Sequence, residues 1–420
     1  MGGFHASPEP RDLAGMPAPR QRDLDRRTLM RLAAASGASV LLASCGDGGA
    51  TREGGLRPLR KTVRFEEKTD LILLTDRPPQ LETPLRFFRE DFTPNDAFYV
   101  RSHLAGIPVS VDTRSFRLNV GGHVERPLAI SLHELRTAFT PVSIVAVNQC
   151  SGNGRSLFEP RVPGGQWANG AVGNARWTGV RLKDLLARAG IKAGAAQVSF
   201  QGLDRPVLPG TPAFIKALDV DQALGDDILV AYAMNGAPLP MLNGFPMRLV
   251  VPGWYATYWV KALSEIQVLP KRFSGFWMDK AYRIPKAADA QESPDHLATE
   301  TVPINRLSVR SLFVRPEPDE VLRMGVPCEI EGLAMDSGRG IARVEVSTDG
   351  AATWSEAQLD PELGRYSWRR WRSRWTPGAR GPQRLFARAT NSAGESQTLT
   401  QWNRSGYARN VIEQLAVTVV

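Results

Sequence analysis

The chain breaks into short apolar runs separated by long polar, glycine-rich stretches, and most of the runs are strand-sized. Residues 142–147, VSIVAV, read as a buried strand. Phe98–Val100 reads as a second short strand. Phe116–Val120 alternates before Gly121–Gly122, a strand with its turn. Helical signals are few. Ser131 stands three residues before Glu134, a capping start. Residues 180–189 carry helical apolar spacing that stops at Gly190. Strand pattern resumes at Val198–Phe200, and after the APLP turn Arg248 leads a strand over Leu249–Val251. Pro252–Gly253 turns that strand into an aromatic stretch ending at Lys261. Beyond a polar, proline-bearing segment at 285–303, the runs SVRSLFVRP, CEIEGLAMD, ARVEVSTDG, LFARATNSAG and LAVTVV follow at sandwich-like spacing. Asp349–Gly350 marks a hairpin turn. The pattern predicts an α+β chain, a mixed α/β body followed by a β-sandwich.

Composition changes that picture little. The chain has 420 residues, 42% apolar and 23% charged, ordinary for a globular protein with two or three domains. Its net charge of +9 is concentrated in a leader. Residues 1–64 hold 11 Lys/Arg against 6 Asp/Glu, a net +5, which leaves +4 for the rest. A nearly balanced body does not indicate a nucleic-acid binder. The stretch SWRRWRSRWTPGARGPQR interleaves arginine with Trp368, Trp371 and Trp375. It reads as a tryptophan face turned inward and an arginine face turned outward, suited to docking a redox partner or a second subunit. The three cysteines, Cys45, Cys150 and Cys328, are too scattered for a disulfide framework, and Cys328 reads as core.

The leader has its own signature. Arg26–Arg27 precede an apolar run over 29–43 that is too short and too weakly apolar for a transmembrane span. It fits a twin-arginine export signal, and LASC makes Cys45 a candidate lipid-bearing residue. The expected location is the periplasm, with a possible membrane anchor at Cys45.

The chemistry gathers after the strand at 142–147. Cys150 is followed by Arg155, with glycines at 152, 154, 164, 165, 170, 173 and 179. A lone cysteine among amide donors and arginines suits a thiolate beside an anionic ligand, or else a plain buried cysteine in a glycine-rich loop. Arg101 and His103 stand two apart, on one face of a strand. By themselves they read as a solvated cation and a hydrogen-bonded core histidine.

CSGNGR followed by FEPRVPGGQWANGAVGNARWTGV resembles the molybdenum-binding loop of the sulfite oxidase family, particularly the bacterial periplasmic sulfite dehydrogenases. FYVRSH, NGFPMRLVVPGWYATYWVKAL and GFWMDKAYRIP extend the resemblance, which runs from about residue 85 to the C-terminus. It implies a molybdenum-pyranopterin cofactor with the Cys150 thiolate as metal ligand. A soft thiolate suits a metal already bound by dithiolene sulfur. It also implies that Arg101, His103, Asn243, Arg248 and Lys261 hold the cofactor. Asn243 stands where animal members have a phosphate-binding histidine. Arg101, Arg155, Tyr282 and Trp167 are the implied catalytic residues, the arginines holding sulfite and Trp167 walling the pocket.

The implied activity is oxidation of sulfite to sulfate by oxo transfer. The electrons would pass to an acceptor such as a c-type cytochrome, because the chain shows no second redox centre. Alternatives are a sulfoxide reductase or sulfane dehydrogenase of the same fold, or a non-catalytic immunoglobulin-like lipoprotein. The expected organisation is a signal with a lipoprotein site at 1–45 and a linker and extension at 46–82. A molybdopterin-binding domain at 83–290 and an immunoglobulin-like dimerisation domain at 300–420 follow, in a homodimer or beside a cytochrome subunit. Animal members also place an arginine directly before a glycine near the C-terminus. Here Ser405 precedes Gly406 and Arg404 stands one position earlier.

Overall fold

The computed structural model describes residues 62–63, 65–318 and 320–420. The Arg26–Arg27 signal and Cys45 lie outside the described residues.

The sheet that carries the cysteine is antiparallel. Its spatial order is Ala237–Pro238, Leu229–Met234, Val172–Arg181 and Val142–Gln149, with Arg248–Val250 also paired to Leu229–Met234. The predicted strand at 142–147 is therefore present and runs on to Gln149. Its eight residues pair with Val172–Gly179, so both ends of the long loop are fixed by one ladder. Cys150 follows the last rung, and its N–H donates to the Ala171 carbonyl at 2.9 Å.

A second sheet runs Ile215–Asp219, Gln197–Gly202, Leu263–Leu269, Leu118–Gly122 and Leu128–Ile130. Its pair Leu263–Leu269 with Leu118–Gly122 is parallel. The two predicted helices follow their sequence signals. Ser131 and Glu134 form a reciprocal capping box at the start of Leu132–Thr137. Leu182–Ala189 buries Leu182, Leu185, Leu186 and Ala189 and stops at Gly190, whose φ of +70° admits glycine at little cost.

The body begins earlier than the expected boundary at Thr83. Thr62–Val63, Leu71–Asp76, Pro79–Glu82 and Val100–Arg101 form a sheet in that order, so the strand bearing Arg101 is completed by sequence read as extension. Leu71, Leu81 and Val100 make a small core on which Leu242 packs. Glycine and arginine content at 46–70 concealed this, because a single hairpin supplies the burial. The segment at 285–303 likewise begins and ends in structure, with Arg283–Pro285 paired to Thr301–Pro303.

The C-terminal part is the predicted β-sandwich. One sheet runs Arg310–Arg315, Cys328–Met335, Arg369–Trp375 and Gln358–Leu359. The other runs Val321–Leu322, Glu413–Val419, Gly381–Asn391, Ile341–Ser347 and Ser355–Glu356. Phe313, Ile330 and Trp371 from the first sheet share a core with Val344, Leu385 and Val417 from the second. Cys328 is only partly buried at the edge of this core, its Sγ 3.4 Å from the Trp375 carbonyl. Trp371 points inward as expected, but Arg370 is buried too and donates to the Phe88 carbonyl at 3.1 Å. The arginine face of this strand thus begins against Phe88 of the N-terminal body and turns outward only further along.

A buried polar network joins sandwich to cysteine loop. Arg310 donates to the Asn153 carbonyl at 3.1 Å and to Asn169 Oδ1 at 2.6 Å. Glu413 accepts from Arg409 at 2.9 Å and from Asn169 Nδ2 at 2.5 Å, and lies 3.7 Å from Arg310. Gly154 has φ +85°, and a Cβ there would stand 2.9 Å from both Arg310 and Arg409. The close approach requires glycine.

Candidate active site

Two cavities meet at one pair of side chains. The inner cavity is lined by Cys150, Tyr99, His103, Asn148, Ser151, Asn243, Arg248, Thr257 and Lys261, among others. The outer vestibule is lined by Arg155, Lys280, Arg283, Arg404, Ser405 and Tyr407, among others. Arg101 and Tyr282 line both. Strand ends and turns supply nearly all of these groups: Cys150 directly follows a strand, Arg101 ends one, and Arg248 begins one.

Tyr282 sits at the junction with φ +57°, a left-handed backbone unusual outside glycine. Its hydroxyl lies 2.6 Å from His103 Nε2, and Arg101 Nη2 donates to it at 3.5 Å. The phenol oxygen has room for two donors, so the histidine tautomer sets which partner gives the proton in the His103 contact. Burial first, then the cations Arg101, Lys261 and Lys216, push His103 well below the ordinary imidazole range. It is neutral at pH 7. Burial likewise raises the Tyr282 pKa, so the phenol stays protonated. His103 stacks on Phe214 at 3.7 Å, which fixes the ring plane.

The polar lining of the inner cavity is cationic. Arg248 donates to the carbonyls of Asn243 and Trp259, both at 3.0 Å, and lies against Trp177 and Trp259. Burial brings its pKa down to about 10. Lys261 donates to the Leu242 carbonyl at 2.9 Å and to Ser102 Oγ at 3.1 Å. Burial, then Arg248, brings it down to about 7, with Asp204 acting in the opposite sense. Among the described residues Asp204 is the one carboxylate lining this cavity, and burial raises its pKa.

Unpartnered groups test whether a cofactor fits. Asn148 Nδ2, Ser151 Oγ, Arg248 Nε and Thr257 Oγ1 are buried without a hydrogen-bond partner, and all four residues line this cavity. Each such group costs about 1–3 kcal/mol if left unmade. Asn148 is held in orientation by the Tyr99 hydroxyl, which donates to its Oδ1 at 2.7 Å. Donors, hydroxyls and cations gathered around one thiol fit an anionic ligand rich in hydrogen-bonding atoms. Among the described residues no three His, Cys, Asp or Glu side chains converge on a metal-sized site. Cys150 would then be a lone protein ligand, which suits a metal that arrives already chelated.

The structure brings Arg101, His103, Cys150, Asn243, Arg248, Lys261 and Tyr282 together in the inner cavity. Arg155 stands apart, in the vestibule, where it donates to the carbonyls of Gly165 and Ser405 at 3.2 and 3.0 Å. Trp167 is a correction. It lines neither cavity and instead packs edge-on behind Tyr99, with ring centroids 6.3 Å apart. The loop turns its indole into the core, so Tyr99 is the wall. Arg404 does line the vestibule, but Glu292 neutralises it through contacts of 2.6 to 3.1 Å. It does not act as a free third cation.

The sequence reading passed over Asn148, Ser151 and Tyr99, although Ser151 and Tyr99 lie inside quoted motifs and Asn148 stands two residues before Cys150. Thr257 had no signal of its own. Tyr407 comes from the sandwich side, stacks on Tyr282 at 5.3 Å and 7°, and carries the Arg155 guanidinium 4.9 Å above its ring. Its position one residue after Gly406 was the only hint.

Comparison with known proteins agrees with this geometry. Residues 104–277 match the oxidoreductase molybdopterin binding domain family, and residues 301–419 match the Mo-co oxidoreductase dimerisation domain family. The chain is 33% identical over 362 residues to human mitochondrial sulfite oxidase, covering 82% of this chain and 65% of that one. It thus spans about 65% of the length of the mitochondrial relatives it matches. It is 31% identical over 285 residues to the sulfite oxidase of Arabidopsis thaliana, covering 65% of this chain and 71% of that one. The fold is shared with the sulfane dehydrogenase SoxCD from Paracoccus pantotrophus at a TM-score of 0.71, covering 96% and 97% of the two chains at 23% identity.

Proposed function

The chain belongs to the sulfite oxidase family of molybdopterin-dependent oxidoreductases, and we propose that it oxidises sulfite to sulfate and hands the electrons to an external acceptor such as a c-type cytochrome. The overall change is sulfite plus water giving sulfate, two protons and two electrons. The meeting of a thiol-bearing inner cavity and an arginine-bearing vestibule at Arg101 and Tyr282 carries this reading.

Arg101, His103, Asn243, Arg248 and Lys261 would hold the cofactor and Cys150 its metal; when bound, that group supplies oxo transfer and the two-electron redox change. The chain's own residues bind, orient and handle protons. Arg155 meets the anion in the vestibule, and Arg101 receives it at the junction through charge-assisted hydrogen bonds. The Arg155 Nε is buried and has no hydrogen-bond partner within the chain. Tyr282 accepts from Arg101 and shares a hydrogen bond with His103, which locks the phenol at the mouth of the inner cavity. The neutral imidazole keeps Arg101 and Lys261 from facing a third cation. Tyr407, Phe214 and Trp277 shield this junction from bulk water.

The expected dimer would form through residues 301–419, and the leader would place the enzyme in the periplasm, anchored if Cys45 is lipidated. A sulfane-sulfur substrate is a second reading, favoured by the shared fold with SoxCD over nearly the whole chain. Steady-state reduction of ferricyanide and of cytochrome c by loaded protein separates them. Sulfite is expected to support turnover and a protein-bound sulfane to support little. Turnover with sulfane alone would overturn the sulfite assignment and keep the family.

A further inference from the structure

One end of the inner cavity is built on a single short turn, Met241–Asn243. Three cations close on it, and each takes a different oxygen. Lys261 donates to the Leu242 carbonyl, Arg248 to the Asn243 carbonyl, and Lys68 to the Asn243 side-chain oxygen. Lys261 and Arg248 line the cavity themselves, whereas Lys68 stands behind it. Lys68 precedes the first long strand, in sequence read above as linker, yet it is only 2% exposed.

The grip is two-handed. Glu67 Oε2 accepts from the Met241 N–H at 2.5 Å, so adjacent residues of the same segment hold the first and last positions of the turn. Lys68 also donates to the carbonyls of Asn95 and Phe98 at 2.7 and 3.2 Å. Its three N–H bonds are then all used, and all on neutral oxygens.

An ammonium only donates, so the Asn243 oxygen must face Lys68 and its nitrogen must face away. That nitrogen gives one hydrogen to the Tyr99 carbonyl at 3.1 Å. Its second hydrogen is left for the cavity that Asn243 lines. Asparagine can present either an acceptor or a donor, and the partner behind it decides which. Here the choice is a donor, backed by a positive charge, which suits an anionic group.

We propose that Lys68 is a positioning residue for the anionic end of the bound cofactor, acting through the Asn243 amide. This rests on the molybdopterin reading above. The cation sits one side chain removed from the ligand. Its removal should therefore weaken retention without removing any group the ligand touches.

The test compares Lys68→Met, Asn243→Ala and the double variant, each isolated from a host that loads the wild-type chain. Pterin and molybdenum per chain are measured over the course of dialysis, with circular dichroism on the same samples. Lys68→Met is expected to lose pterin about tenfold faster than wild type, the effect of weakening one charge-assisted hydrogen bond. The double variant should be no worse than the worse single, because both changes remove one shared interaction. Lys68→Gln keeps a donor toward Asn243 without the charge. It is expected to fall between wild type and Lys68→Met, and it serves if the methionine variant does not fold. Retention equal to wild type in either Lys68 variant, or losses that add in the double, would overturn the proposal. A wild-type chain that carries no pterin would overturn the molybdopterin reading and this inference with it. A loaded wild type with unaffected variants would overturn this inference alone.

Discussion

At the scale of single residues, Arg155 shows what a motif conveys and what it does not. It lies five positions after Cys150 in the sequence, yet it faces the vestibule while Cys150 lines the inner cavity. Its guanidinium is held by two carbonyls and by the Tyr407 ring, so its position is fixed before any anion arrives. Replacing it with glutamine keeps a polar side chain and removes the charge. A hydrogen bond to a charged group contributes about 1.5–3 kcal/mol, so Arg155→Gln should raise KM for sulfite roughly 10- to 100-fold, with a smaller change in kcat. Steady-state kinetics with cytochrome c as acceptor would read this, and unchanged KM and kcat would remove Arg155 from the substrate path. The motif residues Cys150, Arg248 and Lys261 were legible because their neighbours in sequence are their neighbours in space. Trp167 was misplaced for the opposite reason: a glycine-rich loop does not reveal which way an indole turns. Arg404 could be found in the sequence, but its neutralisation by Glu292, 112 residues away, could not.

At the scale of elements, strand existence was readable and strand partnership was not. The run at 142–147, the capping box at Ser131 and the glycine stop at Gly190 are all where the pattern places them. What periodicity could not show is that Pro79–Glu82 completes the strand bearing Arg101, or that the sandwich reaches into the cysteine loop. That reach makes a prediction. Glu413 is the carboxylate between Arg310 and Arg409, and all three are buried. Glu413→Gln would leave two buried guanidinium groups without their anion. Breaking a buried pair in this way costs about 3–5 kcal/mol. Urea unfolding of the variant should show a loss of that size, and a loss below about 1 kcal/mol would mean the network is not what joins the two parts.

Across the whole molecule, three buried lysines gather in and around the site, and among the described residues none of the three forms an ion pair with a carboxylate. Lys68, Lys216 and Lys261 are each brought down to about 7, and burial is the largest cause in all three. Their unfolded value is near 10.5, so between about pH 7 and 10 the unfolded chain binds more protons than the folded one. Stability of the cofactor-free protein should therefore rise with pH across that window, by up to about 1.4 kcal/mol per pH unit for each lysine. Above about pH 10 the trend should reverse, because buried Tyr99 and Tyr282 hold their protons while the unfolded phenols lose theirs. An anionic cofactor would keep Lys261 and Lys68 charged, so the loaded protein should show a flatter rise. Urea midpoints at pH 7, 8 and 9 for both forms would check this. A midpoint that falls with pH in the cofactor-free protein would contradict it.

The proposed activity rests on Cys150 holding a molybdenum in the inner cavity. The most direct measurement is molybdenum X-ray absorption on wild type and Cys150→Ser, with metal content and sulfite-dependent cytochrome c reduction on the same samples. The variant is expected to show one fewer molybdenum–sulfur scatterer, together with lost sulfite turnover. The same sulfur count in both proteins, or a loaded variant that turns over like wild type, would contradict it.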